Sequence, residues 1–166
     1  MELVPNIGPD TSLFAATCTY DWEGGGAFLS SNDGASWTSM TAGLPTHSYD
    51  STKYALINCA VAYLTPSGVS NLVVATEAGV YVTTTNGLPW LPWKAANKGL
   101  PRYPYDTTRV VQVRAVSVGR YSIGGTMLYV GTAGYGVFRS TDGGESWISA
   151  GLSGNYVTGF AVSPEG

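Results

Sequence analysis

The chain has 166 residues, a formal net charge of −3 and only 11% charged residues, which is a size that fits one ordinary domain. The acidic balance leaves no basic stripe for a phosphate backbone, and no apolar stretch reaches the ~18 residues of a membrane helix. We therefore expect neither nucleic-acid binding nor a membrane span. The many glycine, tyrosine and tryptophan residues are typical of short strands and tight turns.

A motif that ends in tryptophan occurs repeatedly along the chain. It reads GAFLSSNDGASW at 26–37 and GVFRSTDGGESW at 136–147, and a degraded copy, GVYVTTTNG, begins at Gly79. The flanking sequence repeats too, because Leu44-Pro45 recurs as Leu100-Pro101. Self-similarity of this kind is the signature of a repeat architecture. It divides a single domain, 1–166, into units at 1–53, 54–109 and 110–155, and 156–166 begins a further unit.

Short apolar runs bounded by Gly, Pro, Asn and Ser predict four short strands in each unit. We term these strands a to d in chain order. Strand a is predicted at 54–62 and 110–118, and again at 156–162. Strand b is predicted at 13–17, 72–76 and 128–132. Strand c is predicted at 26–30, 79–83 and 136–140, and strand d begins near the tryptophan that closes each motif. The chain is therefore expected to be all-β.

The turn between strands c and d has a defined hydrogen-bonding chemistry. The carboxylate of Asp142 can accept hydrogen bonds from the backbone amides that follow it, as in Asx turns. Gly143 and Gly144 permit a positive φ. Ser146 can add a hydrogen bond, and the ring of Trp147 can cover the turn. These residues are interpreted as structural and not catalytic.

The other copies carry the same turn with substitutions. Asn32 takes the place of Asp142 in the first unit and is followed by Asp33, and Trp37 closes the motif. In the second unit Thr85 replaces the acid. Trp93 is the better match to Trp37 there, because both stand seven residues before Leu-Pro.

This pattern resembles the Asp-box, or bacterial neuraminidase repeat, Ser-x-Asp-x-Gly-x-x-Trp. The resemblance implies a β-propeller built from four-stranded antiparallel blades, as in sialidases, xyloglucanase-type glycosidases and sortilin-like receptors. It also implies an extracellular or cell-envelope location. A sialidase would carry three substrate-clamping arginines and an Arg-Ile-Pro segment, whereas every arginine here lies between Arg102 and Arg139.

About three blades cannot close a ring, since closed propellers have ~4–8 blades. We expect two copies of the chain to form a six-bladed homodimeric ring, with 156–162 of one copy completing the first blade of the other. The alternative is that the chain is a fragment of a longer propeller.

Candidate ligand-binding residues lie in the b–c and d–a loops, on the face that family resemblance assigns to ligands. The b–c loop of the first unit is longer than its sister copies and combines flat rings with carboxylates, a combination that suits sugars. The d–a loops repeat one pattern, which a structural pairing of acid and base would also explain. The candidates are Tyr20, Asp21, Trp22, Glu23, Tyr49, Asp50, Lys53, Tyr105, Asp106 and Arg109.

Two functions from different classes remain open. A non-catalytic binding or interaction module, for a glycan or a protein, needs only a rigid scaffold with aromatic and polar loops. A glycosidase needs two carboxylates across a cleft, which Asp21, Glu23, Asp50 or Asp106 could supply. The binding module is favoured. No cofactor or metal is expected, because Cys18, Cys59 and His47 lack the spacing of a metal site.

Overall fold

The computed structural model describes residues 12–17, 25–47, 51–85, 90–120 and 125–163. Within these ranges the chain forms strands and turns and no helix, so the prediction of an all-β chain is confirmed. Every pairing between the strands is antiparallel.

The strands form three larger sheets and one small one, in chain order. The first sheet contains β1 (Leu13–Thr17), β2 (Gly26–Ser30) and β3 (Thr38–Ser39). The second contains β4 (Ile57–Leu64), β5 (Ser70–Thr76), β6 (Gly79–Thr85) and β7 (Lys94–Ala95). The small sheet pairs β8 (Arg102–Tyr103) with β9 (Asp106–Val110). The third contains β10 (Val113–Arg120), β11 (Thr126–Thr132), β12 (Val137–Ser140) and β13 (Ile148–Ser149).

The second sheet is buried on both faces, which explains why its central strand is a continuous apolar run. Every residue of β5 is buried. Its side chains alternate between the two faces: Leu72 and Val74 pack in a core with the first sheet, and Val73 and Ala75 pack in a core with the third. The three sheets are thus stacked face to face in chain order.

The first strands of the second and third sheets, β4 and β10, are termed the inner strands, and both begin later than the predicted starts at 54 and 110. Strand β4 starts at Ile57 and not at Tyr54, and Tyr54 instead forms a bridge with Gly25 of the first sheet. A register shift between Ile57 and Cys59 marks the point where regular pairing begins. The residues before β4 therefore contact the segment that leads into the first sheet's β2.

Two further predictions are corrected. Residues 156–162, predicted as a strand, form one bridge with the described residues, between Tyr156 and Ala133, and no described strand pairs with them. The d–a connection after the second sheet, predicted as a loop, contains the hairpin β8–β9. None of the described residues belongs to a helix long and apolar enough to cross a membrane.

Candidate functional site

The turn between β12 and β13 is held by side-chain hydrogen bonds. The Ser140 hydroxyl donates to Oδ1 of Asp142 at 2.6 Å and accepts from the Gly144 N–H at 2.9 Å. Oδ1 of Asp142 also accepts from the Ser146 N–H at 2.9 Å. Partial burial alone would raise the pKa of Asp142, but the hydrogen bonds from the hydroxyls of Ser140 and Ser146 and from backbone amides lower it to about 2.

The first sheet reproduces this turn with an amide in place of the acid. The Ser30 hydroxyl donates to Oδ1 of Asn32 at 2.9 Å, and the same oxygen accepts from the Ser36 N–H at 2.9 Å. Asp33 occupies the left-handed position of the turn, with φ at 56°, where Gly143 has φ at 74°. Because an uncharged amide serves equally, the turn is a structural device.

The closing tryptophans connect neighbouring sheets. The indole N–H of Trp93 donates to the carbonyl of Met40 at 2.5 Å, and that of Trp147 donates to the carbonyl of Ala96 at 2.7 Å. Both rings are buried, whereas Trp37 of the first sheet is 39% exposed. The prediction placed these rings over their own turns, and the structure adds a contact with the preceding sheet.

The opposite end of the second sheet carries a polar cavity of about 540 Å³. It lies where the β5–β6 turn meets the connections that enter and leave the second sheet. Its wall contains two carboxylates and two guanidinium groups. The residues that argue for a site are Glu77, Tyr81, Asn97, Arg102, Asp106 and Arg109.

Glu77 lines this cavity and has an unsatisfied carboxylate oxygen. Its Oε1 atom is buried and accepts no hydrogen bond from the residues that the structure describes, although Nε2 of His47 lies 3.4 Å away. The two groups are close enough for an ion pair, but the ring N–H of His47 does not point at Oε1. A misaligned hydrogen bond is weak, so the contact does not count as one. The carboxylate therefore keeps capacity for a donor.

The hairpin β8–β9 forms another wall and is held by its own hydrogen bonds. Oδ1 of Asp106 accepts from the Thr108 hydroxyl at 2.6 Å and from the Thr108 N–H at 3.1 Å. Arg102 donates to the Thr108 carbonyl at 2.7 Å. The Thr108 hydroxyl is the main reason that the pKa of Asp106 is lowered, and Arg109 contributes to the same shift. Asp106 is thus an ionised group that fixes the loop.

Two tyrosines stack at the tip of this hairpin. The rings of Tyr103 and Tyr105 are 5.2 Å apart between centroids and inclined by 26°. Tyr105 is 77% exposed, while the Tyr103 hydroxyl accepts from the Gln112 N–H at 3.1 Å and the Arg109 guanidinium lies 5.7 Å from the Tyr103 ring centre. The exposed ring is therefore supported from beneath.

The structure brings together only some of the residues that the sequence predicts. Asp106 and Arg109 line the cavity, whereas Tyr105, which directly precedes β9, is not one of its lining residues. The backbone carbonyl of Lys53 accepts a hydrogen bond from the His47 N–H at 2.7 Å, so Lys53 holds the segment that carries His47. The other candidates lie outside the described residues: Tyr20, Asp21, Trp22, Glu23, Tyr49 and Asp50.

The predicted candidates did not include four of the cavity residues: Glu77, Tyr81, Asn97 and Arg102. Glu77 stands in a tight turn, and an acid there was a signal that could have been used. Asn97 accepts from the Val80 N–H at 2.7 Å, and burial raises the pKa of Tyr81. No sequence pattern singles out either of these two residues.

Two other cavities lie between neighbouring sheets at the end that carries the c–d turns. One, of about 450 Å³, is lined by Tyr63 and Asp142, and the other, of about 340 Å³, is lined by Met40 and Trp90. Burial raises the pKa of Tyr63, and the Asp142 carboxylate adds to this shift. Since their walls include the structural turns, these grooves are weaker candidates than the cavity beside Glu77.

The described residues contain no group of three or more His, Cys, Asp or Glu side chains that could hold a metal ion. The Cys59 thiol donates to the Val116 carbonyl at 3.6 Å, and Cys18 lies outside the described residues.

No protein-family model and no curated protein matches the chain. Among solved structures, the chain is similar to a protein of Bifidobacterium bifidum s17 that is provisionally assigned as an exo-beta-1,3-galactanase. The two share 11% identity with a TM-score of 0.45. The match covers 95% of this chain and 55% of the other, so this chain spans about half the length of that structure.

Proposed function

We propose that the chain is a non-catalytic binding module that holds a carbohydrate in the cavity beside Glu77. The observation that carries the proposal is the buried Oε1 of Glu77, which lies 3.4 Å from Nε2 of His47 and accepts no hydrogen bond from any described residue. A buried acceptor without a donor costs free energy, so such a group calls for an explanation. Sugars present several hydroxyl donors on one rigid ring, and one of these would satisfy Glu77.

The tyrosine pair supplies the apolar contact that sugar binding also needs. A pyranose presents a face of C–H groups, which packs well on a flat aromatic ring. The ring of Tyr105 is exposed and rests on Tyr103, so little conformational entropy is lost when a ligand covers it. Asp106 and Arg109 of the same hairpin line the cavity, and they supply a carboxylate and a guanidinium group to fix the orientation of the ligand.

We place this site on an exported β-propeller of the Asp-box type. The support is the turn that repeats with the same hydrogen bonds, around Asn32 in the first sheet and around Asp142 in the third. Face-to-face stacking of sheets in chain order is also the arrangement of propeller blades. On such a scaffold the cavity lies at the end opposite the Asp-box turns.

One observation favours a glycosidase as the second candidate: Glu77 and Asp106 line the same cavity. Glycosidases pair a carboxylic acid that donates a proton with a second carboxylate. The pKa of Asp106 is lowered, so this group could serve only as the ionised carboxylate of such a pair. It also holds its own loop through Thr108. We therefore rank binding above catalysis.

A glycan array tests the proposal. The wild type is compared with Glu77→Gln, which keeps the shape of the side chain, and with Tyr105→Ala. We expect each substitution to weaken binding about tenfold or more, because each removes a charge-assisted hydrogen bond or an aromatic contact. Glu145→Gln and Leu64→Ala, both exposed and away from the cavity, should bind like the wild type. A wild type that binds no glycan overturns the proposal.

A screen on aryl glycosides and polysaccharides separates binding from catalysis. We expect no turnover from the wild type. Turnover that is abolished by both Glu77→Gln and Asp106→Asn would replace the binding module with a glycosidase.

A further inference from the structure

The contact between neighbouring sheets is built twice in the same way. The Trp93 indole donates to the Met40 carbonyl, and the Trp93 N–H donates to the Ala42 carbonyl at 2.8 Å. The Trp147 indole donates to the Ala96 carbonyl, and the Trp147 N–H donates to the Lys98 carbonyl at 2.8 Å. Each tryptophan is thus held by two carbonyls of the sheet before it.

The first sheet carries the tryptophan of this contact, but no described sheet precedes it to supply the carbonyls. Trp37 stands at the position of Trp93 and Trp147, yet it is 39% exposed, against 4% and 3% for the other two. Strand β1 pairs only with β2 among the described residues, whereas β5 and β11 each have a strand on both edges. The first sheet therefore lacks both a preceding sheet and an inner strand in the described part of the chain.

The third sheet carries the carbonyl side of the same contact. The Ala150 N–H donates to the Val137 carbonyl at 2.8 Å, as the Ala96 N–H does to the Val80 carbonyl at 2.9 Å. The carbonyl of Ala150 thus occupies the place of the carbonyl that receives the Trp147 indole.

The residues after Ala150 show that this half is open. A Gly-Leu pair follows the tryptophan in each unit. Its leucine is buried in the first two units, as Leu44 and Leu100, but Leu152 of the third unit is 62% exposed. Its φ of 54° is unfavourable for a bulky residue, and such backbone persists where a contact requires it.

Residues 156–163 lie where the inner strand of a following sheet would lie. The Val157 N–H donates to the Thr132 carbonyl at 3.1 Å, and the Val157 side chain leaves no room for a Cβ at Gly131. The Ala-Val-Ser of β10 recurs at 161–163, yet Val162 is 49% exposed while Val116 is 6% exposed. Residues 157–162 are in place, but no described strand pairs with them.

We propose that a second copy of this chain covers both open halves, head to tail. Trp37 of the second copy donates to the Ala150 carbonyl, and residues 156–162 become the missing strand beside β1 of the second copy. Two copies place six sheets in one ring, which is within the ~4–8 blades of closed propellers, and three copies would exceed it. The occupant is a second copy because the two open halves on one chain match each other.

Light scattering and sedimentation velocity at micromolar concentration test this interface. We expect twice the 17.4 kDa of one chain for the wild type. Trp37→Ala and Leu152→Asp should each raise the dimer dissociation constant about 30-fold or more, as loss of an interface anchor does. Both side chains are exposed in the single chain, and aspartate tolerates the left-handed backbone at 152, so both variants should fold. Leu64→Ala, exposed but on neither end, should dimerise like the wild type.

Mixing the two variants shows whether the contact is head to tail. A dimer of either variant alone carries damage at both of its interfaces, whereas a mixed dimer carries one intact interface. We expect the mixture to form dimers at concentrations where neither variant does. A monomeric wild type, variants that dimerise normally, a mixture without recovery, or masses that grow beyond the dimer would each overturn the proposal. Loss of glycan binding with the dimer intact counts against the proposed function alone.

Discussion

The indole N–H of Trp147 donates to the backbone carbonyl of Ala96 across 2.7 Å, from the third sheet to the second. Both residues are buried, so water does not reach either group. A buried carbonyl that loses its donor is left unsatisfied, which costs more than the net gain of an ordinary hydrogen bond. This hydrogen bond therefore fixes the position of the third sheet relative to the second. The two sheets otherwise contact each other through apolar side chains.

Trp147→Phe should destabilise the fold by about 2–3 kcal/mol, because it unpairs the Ala96 carbonyl and removes part of a buried ring. Ile148→Val, at the next and exposed position, should change the free energy of unfolding by less than about 0.5 kcal/mol. Urea unfolding followed by circular dichroism measures both values. Equal losses for the two variants would show that the bond does not hold the sheets.

Gly99→Ala should destabilise more than Gly68→Ala. The two glycines have similar φ values, 88° and 81°, so both variants share the backbone penalty of about 1–2 kcal/mol. A Cβ at Gly99 would collide with the Trp147 carbonyl, while one at Gly68 meets nothing within 4 Å. We expect a difference of about 2 kcal/mol or more in the free energy of unfolding. A smaller difference would mean that the third sheet can move away from the second.

Ser140→Ala should destabilise the fold by about 2 kcal/mol, because it removes the acceptor of the buried Gly144 N–H and the donor to Asp142. Thr141→Ala, which alters an exposed neighbour in the same turn, is the control and should stay within about 0.5 kcal/mol. Thermal or urea unfolding gives both numbers. If Ser140→Ala matches the control, water satisfies the turn as well as the hydroxyl does.

Features that depend on neighbours in the chain could be predicted from the sequence. The bounds of β1 and β2 agree with the prediction, since short apolar runs between glycine and polar residues define them. The hydrogen bonds of Asp142 to Ser146 also follow from local turn chemistry. The role of Ser140 was missed, although it too is local, because a serine at the end of a strand is common and its partner amide belongs to Gly144, four residues later.

The candidate site could be predicted only in part, because its walls come from distant segments. Asp106 and Arg109 were selected from a repeated loop pattern and do line the cavity. Glu77 meets His47 across an inter-sheet connection, and no periodicity in either segment reports that approach. The hairpin β8–β9 escaped notice because its strands are short and polar, so the alternation that signals a strand is absent.

The Asp142 turn should make stability fall at acidic pH. The folded-state pKa of Asp142 is about 2, below the ordinary aspartate value of about 4, so the carboxylate stabilises the fold above pH ~4 and this contribution is lost as pH falls towards 2. Because Asp142 is largely exposed, solvent screening limits the effect to about 1 kcal/mol. Asp142→Asn should keep most of the stability at neutral pH, since Asn32 makes the same bonds in the first sheet. The variant should also lose less stability than the wild type between pH 5 and 2, measured by urea unfolding across that range. A wild type and variant with parallel pH profiles would show that Asp142 does not titrate with a lowered pKa.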